Sequence, residues 1–166
     1  MAIMLRKYLP FGIISTVVIV LDQLSKALVM NYLPLGDSIT IIPNFFSLTH
    51  VHNPGGAFGF MARNGSPLRH WLFLAAAVFA LVMIVYFYHQ TPKDRPFFGF
   101  ALALIFGGAI GNMIDRIRFG EVVDFLDVYL GFTSLPHWPT FNIADCGVTI
   151  GVTIFVLHIL FKKMPV

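Results

Sequence analysis

Residues Phe97–Arg116 read FFGFALALIFGGAIGNMIDR, an apolar run that ends in polar side chains. An α-helix rises about 1.5 Å per residue, so roughly 20 helical residues cross the hydrocarbon core of a bilayer, which is about 30 Å thick. The run therefore predicts a transmembrane helix. Its polar residues Asn112, Asp115 and Arg116 lie together at one end.

Three other stretches are long and apolar enough to be transmembrane helices. Hydrophobic residues make up 57% of the 166 residues and charged residues 11%, whereas a soluble domain has roughly 25% charged residues. We therefore expect an all-α polytopic membrane protein with a single membrane domain, residues 1–166. Its four transmembrane helices are predicted at approximately 8–32, 68–89, 97–116 and 141–161.

The first of these helices begins like a secretory signal peptide. Arg6 and Lys7 precede the apolar residues Phe11–Leu21, as the charged region precedes the hydrophobic region in such a peptide. The apolar run nevertheless continues beyond Asp22, and small residues do not form a cleavage site at the usual place. We interpret the segment as a retained helix.

The first long loop, residues 33–67, is rich in Pro, Gly, Asn and β-branched residues. Within it, Ser38–Ile42 and Phe45–Val51 favour short strands. The sequence Asn53-Pro54-Gly55-Gly56 favours a turn. We expect this segment to form a small extracytoplasmic β cradle.

The second long loop, residues 117–140, contains an aromatic and Pro-rich stretch. Aromatic side chains are enriched at the level of the lipid headgroups, which suits Tyr129, Phe132 and Trp138. We therefore expect this loop to be interfacial.

The basic residues indicate the orientation of the chain. They flank the apolar runs, as topology signals do, so we do not expect nucleic acid as a partner. In a four-helix bundle, the N-terminus, the loop between the second and third helices and the C-terminus lie on one side of the membrane. These three segments hold Arg6, Lys7, Lys93, Arg95, Lys162 and Lys163. The two larger loops hold Arg63, Arg69 and Arg118, offset by Asp37, Glu121, Asp124 and Asp127. The positive-inside rule thus predicts cytoplasmic termini and larger loops outside.

The polar residues of the predicted helices share one depth. Asp22 lies roughly 20 Å above the cytoplasmic end of the first helix, and Asp145 lies just inside the outer end of the fourth. Charged residues within a membrane are costly and by default mark a functional site. A transporter would carry polar groups through the midplane. Polar groups confined to the outer third instead suit chemistry on a molecule lodged in the outer leaflet.

Several of these residues have a structural interpretation. Asp22 and Lys26, four residues apart, form a favourable helical ion pair, which could also shape a site. Gly107 and Gly111 have the spacing that permits close helix contact. Arg116 could pair with a carboxylate, bind lipid phosphate or anchor the helix at the interface.

Asp124 and Asp145 lack a basic residue three or four positions away. Two carboxylates close together in a partly dry site share a proton, so that one can activate a water while the other acts as an acid. Spacing alone leaves Asp115 and Asp127 as alternatives for this role.

Other catalytic chemistries have weaker support in the sequence. Ser25 and Lys26 are adjacent and project about 100° apart on a helix. Cys146 has no nearby histidine, so we expect it in the core. His50 and His52 lack a clear third zinc ligand, and no metal site is expected.

Five blocks of sequence, in order along nearly the whole chain, resemble the lipoprotein signal peptidase family, also called signal peptidase II. The blocks are Asp22–Lys26, Asn53–Gly59, Gly107–Arg116, Val122–Phe125 and Phe141–Asp145. The resemblance implies that Asp124 and Asp145 are the catalytic dyad and that no cofactor is needed. It implies supporting or substrate-binding roles for Asp22, Lys26, Asn53, Gly55, Asn112, Arg116 and Asn142.

The resemblance also implies the substrate and the place of action. The substrates would be diacylglyceryl-modified prolipoproteins, cut before the lipid-bearing cysteine, and membrane lipid would be a partner. We therefore expect an intramembrane aspartic endopeptidase of the bacterial cytoplasmic (inner) membrane, with its active site near the outer leaflet; a monomer is compatible with these features.

Two alternative functions come from other classes. A small ion or proton transporter predicts titratable groups along a continuous path. A non-catalytic membrane scaffold explains the glycine spacing and the aromatic loop. It gives no reason for Asp124 and Asp145 to lie at one depth.

Overall fold

The computed structural model describes residues 2–55, 67–92, 94–131 and 137–161, with the side chains of 2–6 and 67–69 excluded. Within these residues the chain forms four helices and three strands. In order they are α1 (Ala2–Tyr32), β1 (Ser38–Ile42), β2 (Phe46–Asn53), α2 (Pro67–Gln90), α3 (Pro96–Phe119), β3 (Val122–Val128) and α4 (Ile143–Phe161). The predicted membrane protein of four helices with a small β element is confirmed. Several predictions concern residues outside the description, namely Gly56–Gly59, Arg63, Lys93, Phe132, Lys162, Lys163 and the side chains of Arg6 and Arg69.

All four helices are long and apolar enough to cross a membrane. Their outward faces carry large apolar side chains, such as Leu24, which is 58% exposed, and Phe79, which is 68% exposed. Lipid removes the cost that water would impose on such faces, and each helix satisfies its own backbone hydrogen bonds. The outward apolar surface is therefore the lipid-facing surface.

Helix α3 packs against the other three helices, most extensively against α1 and α4. Small residues permit the close approach. A Cβ atom on Gly111 would lie 2.7 Å from Oδ2 of Asp22 and 3.2 Å from Cβ of Ala144. Gly111 therefore lets α1 and the start of α4 reach the same point on α3, as small-residue contacts do in membranes.

The three strands form one antiparallel sheet in the order β1-β2-β3. The first two strands follow the predicted ranges closely, and Asn44 adopts a left-handed conformation (φ 58°) in the turn between them. Strand β3 lies within the predicted interfacial loop, and its Asp124 is opposite Val51 of β2. The sequence predicts an interfacial loop at 117–140, and the structure adds that Val122–Val128 of this segment pair with β2 as a strand.

The described residues on either side of β3 set where α3 ends and where α4 begins. Helix α3 ends at Phe119, and Gly120 caps it: Gly120 has a left-handed conformation (φ 79°) and donates its N–H to the carbonyl of Arg116. This is the usual helix-terminating glycine, and β3 begins two residues later. Helix α4 begins at Ile143 rather than Phe141, because Phe141 pairs with Leu126 of β3. Both connections place the outer ends of α3 and α4 beside β3.

Candidate active site

Asp145 is fixed by the first turn of α4. Asn142 precedes the helix, and its Oδ1 accepts the N–H of Asp145 at 2.9 Å. In return, Oδ2 of Asp145 accepts the N–H of Asn142 at 3.2 Å. These reciprocal bonds form a capping box. They hold the carboxylate at the N-terminus of α4.

Asp124 lies on β3 and is 2% exposed. Nδ2 of Asn53, at the end of β2, donates to Oδ2 of Asp124 at 2.9 Å. Nδ2 of Asn142 donates to its other oxygen at 2.7 Å. The sheet thus brings Asp124 to the cap of α4, so that Asn142 contacts both aspartates.

A second amide links the two carboxylates through α3. Nδ2 of Asn112 donates to Oδ1 of Asp145 at 2.8 Å, and its Oδ1 accepts a bond from Nδ2 of Asn142 at 3.0 Å. Asn142 is fully buried. The two asparagines therefore connect Asp124 and Asp145 by hydrogen bonds from three separate elements.

Burial changes the acid strength of Asp124. Desolvation, together with the charge of Asp145, raises the pKa of Asp124 to about 7, against opposing hydrogen bonds from Asn53 and Asn142 and the charge of Lys26. A carboxyl with a pKa near neutrality exchanges protons readily at physiological pH. This property suits a general acid or base.

A buried ionic cluster lies beneath the asparagines. Nζ of Lys26, which is 1% exposed, lies 2.8 Å from Oδ2 of Asp22 and 2.7 Å from Oδ2 of Asp115. It also donates to Oδ1 of Asn112 at 3.1 Å. The predicted Asp22–Lys26 pair is therefore present, and Asp115 completes it. Lys26 connects α1 to α3 at the base of the site.

The same carboxylates hold the backbone of the neighbouring elements. Oδ1 of Asp22 accepts the N–H of Ala144 at 2.9 Å, at the start of α4. Oδ2 of Asp115 accepts the N–H of Val123 at 3.2 Å, in β3. Each acid thus positions the backbone next to one member of the Asp124–Asp145 pair.

A cavity of about 470 Å³ opens beside the pair. Its lining includes the site residues Asn53, Gly55, Asn112, Arg116, Asp124 and Asp145. Trp138, Val148 and Ile150 supply apolar walls. Polar groups converging in a mostly apolar pocket are the usual form of a binding site.

The two rival aspartates are engaged elsewhere. Among the described residues that line the cavity, neither Asp115 nor Asp127 appears. Asp115 is bound by Lys26, by Gln23 at 2.9 Å and by the β3 backbone. Asp127 lies 2.8 Å from Nδ1 of the exposed His137. The geometry therefore favours Asp124 and Asp145 as the reactive pair.

Arg116 contacts backbone carbonyls rather than a carboxylate. Its Nη2 donates to the carbonyl of Gly55 at 3.3 Å and its Nη1 to that of Asn112 at 3.4 Å. Its guanidinium also lies 5.2 Å from the centre of the Phe73 ring. The N–H of Gly55 donates to Oδ1 of Asn53 at 3.0 Å. Arg116 thus holds Gly55, which follows β2 and lines the cavity.

Two residues differ from their sequence interpretation. No role is predicted for Gln23 from the sequence. In the structure, its Nε2 donates to Asp22, to Asp115 and to the carbonyl of Gly111. Its position beside a charged residue inside a membrane helix was an available signal. Cys146, expected in the core, is only partly buried and lines the cavity. Among the described residues, no three His, Cys, Asp or Glu side chains are grouped as a metal site would need.

Comparison with known proteins gives a consistent family. The sequence model of signal peptidase (SPase) II matches residues 14–161. The lipoprotein signal peptidase of Desulforapulum autotrophicum is 49% identical over 153 residues, covering 92% of this chain and 93% of that protein. That of Syntrophotalea carbinolica is 43% identical over 145 residues, covering 87% of each.

Solved structures agree with the sequence relatives. A bacterial membrane enzyme determined by the in meso method at 2.3 Å resolution superposes with a TM-score of 0.81 and 33% sequence identity, over 95% of this chain and 94% of that one. A second, at 1.9 Å resolution, has a TM-score of 0.81 and 32% identity, over 93% and 94% of the two chains. With matches of this extent in sequence and in fold, the chain belongs to the signal peptidase II family.

Proposed function

We propose that the protein is an intramembrane aspartic endopeptidase that cuts diacylglyceryl-modified prolipoproteins before the lipidated cysteine. Its family membership makes it a multi-pass bacterial membrane peptidase that removes signal peptides from prolipoproteins. Beyond this family function, we propose the aspartic catalytic type and cleavage directly before the lipidated cysteine.

One observation carries the catalytic assignment. Asp124 and Asp145, from β3 and α4, are linked through Asn112 and Asn142 at one cavity. Both are free of salt bridges within the described residues, whereas Asp22 and Asp115 bind Lys26. Carboxylates that share a site and lack a fixed cation can share one proton.

The proposed chemistry uses that shared proton. The ionised carboxylate accepts a proton from water as the water oxygen adds to the scissile carbonyl carbon. The protonated carboxyl gives its proton to the carbonyl oxygen, which produces a neutral tetrahedral diol. One carboxylate then removes a diol proton while the other protonates the amide nitrogen, and the C–N bond breaks. The pair ends with one proton, as it began.

The surrounding residues would organise this reaction. Asn112 and Asn142 would fix the orientation of both carboxyl groups. Asn53 and Gly55, held by Arg116, would border the path of the substrate peptide. Asp22 and Lys26 would act indirectly, because they position α4 and Asn112 rather than line the cavity.

The position of the cavity supports a lipid-anchored substrate. It lies where α3 ends and α4 begins, with the sheet beside it. With cytoplasmic termini, as the basic residues predict, this end faces the outer leaflet. A diacylglyceryl group in that leaflet would hold the substrate cysteine at the depth of the aspartates.

A gel-shift assay in detergent tests the proposal. Purified wild type, Asp124→Asn and Asp145→Asn would be incubated with a diacylglyceryl-modified prolipoprotein, with and without a chelator. Asp127→Asn is the matched control, since Asp127 binds His137 outside the cavity. We expect cleavage by wild type and the control, unaffected by chelator, and none by the other two variants.

The cleavage position, the catalytic residues and the peptidase activity are each tested by a separate result. Mass spectrometry of the product should place the new N-terminus at the lipidated cysteine. Substantial cleavage by a folded Asp124→Asn or Asp145→Asn variant would remove that residue from the mechanism. Folded wild type that cuts nothing would overturn the peptidase assignment, and proton flux in liposomes would then be measured.

A further inference from the structure

A second cavity, of about 610 Å³, lies at the opposite end of the helix bundle. The start of α1, the end of α2, the start of α3 and the second half of α4 surround it. We propose that this cavity binds one anionic phospholipid of the adjacent leaflet, its phosphate held by Lys7 and Arg95. The proposal does not depend on the peptidase mechanism, because the cavity shares no lining residue with the site of Asp124 and Asp145.

The lining of the cavity carries two positive charges that no carboxylate among the described residues neutralises. Lys7 and Arg95 both line the cavity. Nζ of Lys7 donates to the carbonyl of His89 at 2.6 Å, and Nη1 of Arg95 lies 3.5 Å from Nε2 of His158. Among the described residues, neither cation has a carboxylate within 4.0 Å. Asp94, the acidic neighbour of Arg95, is exposed and does not line the cavity.

The walls of the cavity are mostly apolar. Beside the two cations the cavity is lined by apolar side chains, including Phe11, Ile14, Phe97, Phe100 and Ile154. Phe97 is 70% exposed on the lipid-facing surface. A small soluble anion would leave these walls without a partner, whereas acyl chains cover them. The combination of cations and apolar walls therefore selects a lipid.

The depth of Lys7 and Arg95 in the membrane also suits a lipid headgroup. Arg95 directly precedes the membrane span that begins at Pro96, and Lys7 lies across the same cavity, near the start of α1. Both cations therefore lie where the hydrocarbon core meets the headgroups. Basic pockets between transmembrane helices at this level bind acidic headgroups.

Contacts between α1 and α2 hold the walls of the cavity in place. The hydroxyl of Tyr88 donates to the carbonyl of Lys7 at 2.6 Å, which ties α2 to α1. The Phe11 and Tyr88 rings lie 4.3 Å apart. Nζ of Lys7 lies 5.7 Å from the centre of the Tyr88 ring, so its charge is already oriented. A preformed cavity loses little freedom on binding.

Native mass spectrometry of the purified full-length protein tests the proposal. Phosphatidylglycerol and phosphatidylcholine with identical acyl chains would be titrated separately, and the dissociation constant of the first bound lipid compared. We expect wild type to prefer phosphatidylglycerol. Each removed cation should weaken phosphatidylglycerol binding about fivefold, and Lys7→Gln/Arg95→Gln roughly 25-fold. The loss should be smaller for phosphatidylcholine, because its choline group offsets the charge of its phosphate.

Arg118→Gln is the matched control. It removes an exposed arginine from the other end of α3, and phosphatidylglycerol binding should stay at the wild-type level. Because Lys7 also bonds to His89, Arg95→Gln alone is measured as a second variant, and prolipoprotein cleavage by each variant confirms folding.

Three results would overturn the proposal. Equal affinity of wild type for the two lipids would remove the headgroup preference. Wild-type binding of phosphatidylglycerol by folded Arg95→Gln would remove the arginine from the site. Displacement of the lipid by millimolar inorganic phosphate would show that the cavity is a site for a soluble anion.

Discussion

The Nδ2 of Asn142 donates to Oδ1 of Asp124 at 2.7 Å, while the Oδ1 of Asn142 accepts the N–H of Asp145 at 2.9 Å. One side chain therefore caps a transmembrane helix and orients a carboxyl on a strand. Stability and the proposed catalysis would be coupled at this residue, because the helix cap and the placement of Asp124 depend on opposite ends of the same amide.

Two substitutions separate these functions. Asn142→Ser retains an N-cap acceptor but loses the donor to Asp124, so cleavage should fall at least tenfold while the contribution of the cap to thermal stability is kept. Asn142→Ala loses both, and loss of the cap should additionally cost about 0.5–2 kcal/mol of unfolding free energy. Cleavage rate and melting temperature would be measured on the same samples. Equal activity of Asn142→Ser and wild type would contradict the orienting role.

The raised pKa of Asp124 predicts how cleavage depends on pH. With a pKa near 7, Asp124 loses its proton as the pH rises through neutrality, and the pair can no longer share one. The rate should therefore fall above about pH 7, with an apparent pKa that belongs to the pair rather than to one residue. Profiles from about pH 5 to 9 would show this limb. Asp127→Asn should retain it, and a flat profile would contradict the prediction.

The same pKa predicts a change in stability. Because the pKa of Asp124 is raised from 3.8 to about 7 on folding, the folded state binds more protons than the unfolded state between those values. The contribution of Asp124 to stability is thus most favourable at low pH and declines as the pH rises toward 7. Unfolding of Asp124→Asn should lack this decline. Parallel pH dependence in wild type and variant would contradict the assignment.

Gly111→Ala tests the close packing of α1, α3 and α4. The added Cβ would lie 2.7 Å from Oδ2 of Asp22, so the carboxylate must shift, and we expect a loss of about 1–3 kcal/mol. Gly12→Ala in α1 is the control, because no atom lies within 4 Å of the added Cβ. It should be neutral or stabilising by up to about 1 kcal/mol. Melting temperatures in one detergent would compare them.

Lys26→Met tests the buried cluster. Removing the ammonium leaves Asp22 and Asp115 without their shared cation, and breaking buried ion pairs costs about 3–5 kcal/mol. Denaturation in mixed micelles would measure the loss. Arg118→Gln, at an exposed position, should stay within about 0.5 kcal/mol of wild type. A similar result for Lys26→Met would show that the cluster contributes nothing to stability.

The helices were predictable because hydropathy alone identifies a membrane span, and the Asp22–Lys26 pair because helical spacing is local. Strand β3 was not. All of Val122–Phe125 is buried, so the strand lacks an alternating pattern, and its partner β2 lies two transmembrane helices earlier in the chain. Depth placed Asp115 at the same level as Asp124, but only the contact between α1 and α3 shows that Lys26 binds it.

Strand β3 follows the third membrane helix, yet it pairs with β2, which precedes the second. The amide of Asn53, the amide of Asn112 and the carboxyl of Asp145 therefore emerge from the ribosome at widely separated times. A nascent chain with three inserted helices holds Asp124 but not Asp145 or the cap residue Asn142. The proposed catalytic pair is therefore completed only when the fourth helix inserts, so an unfinished chain lacks it.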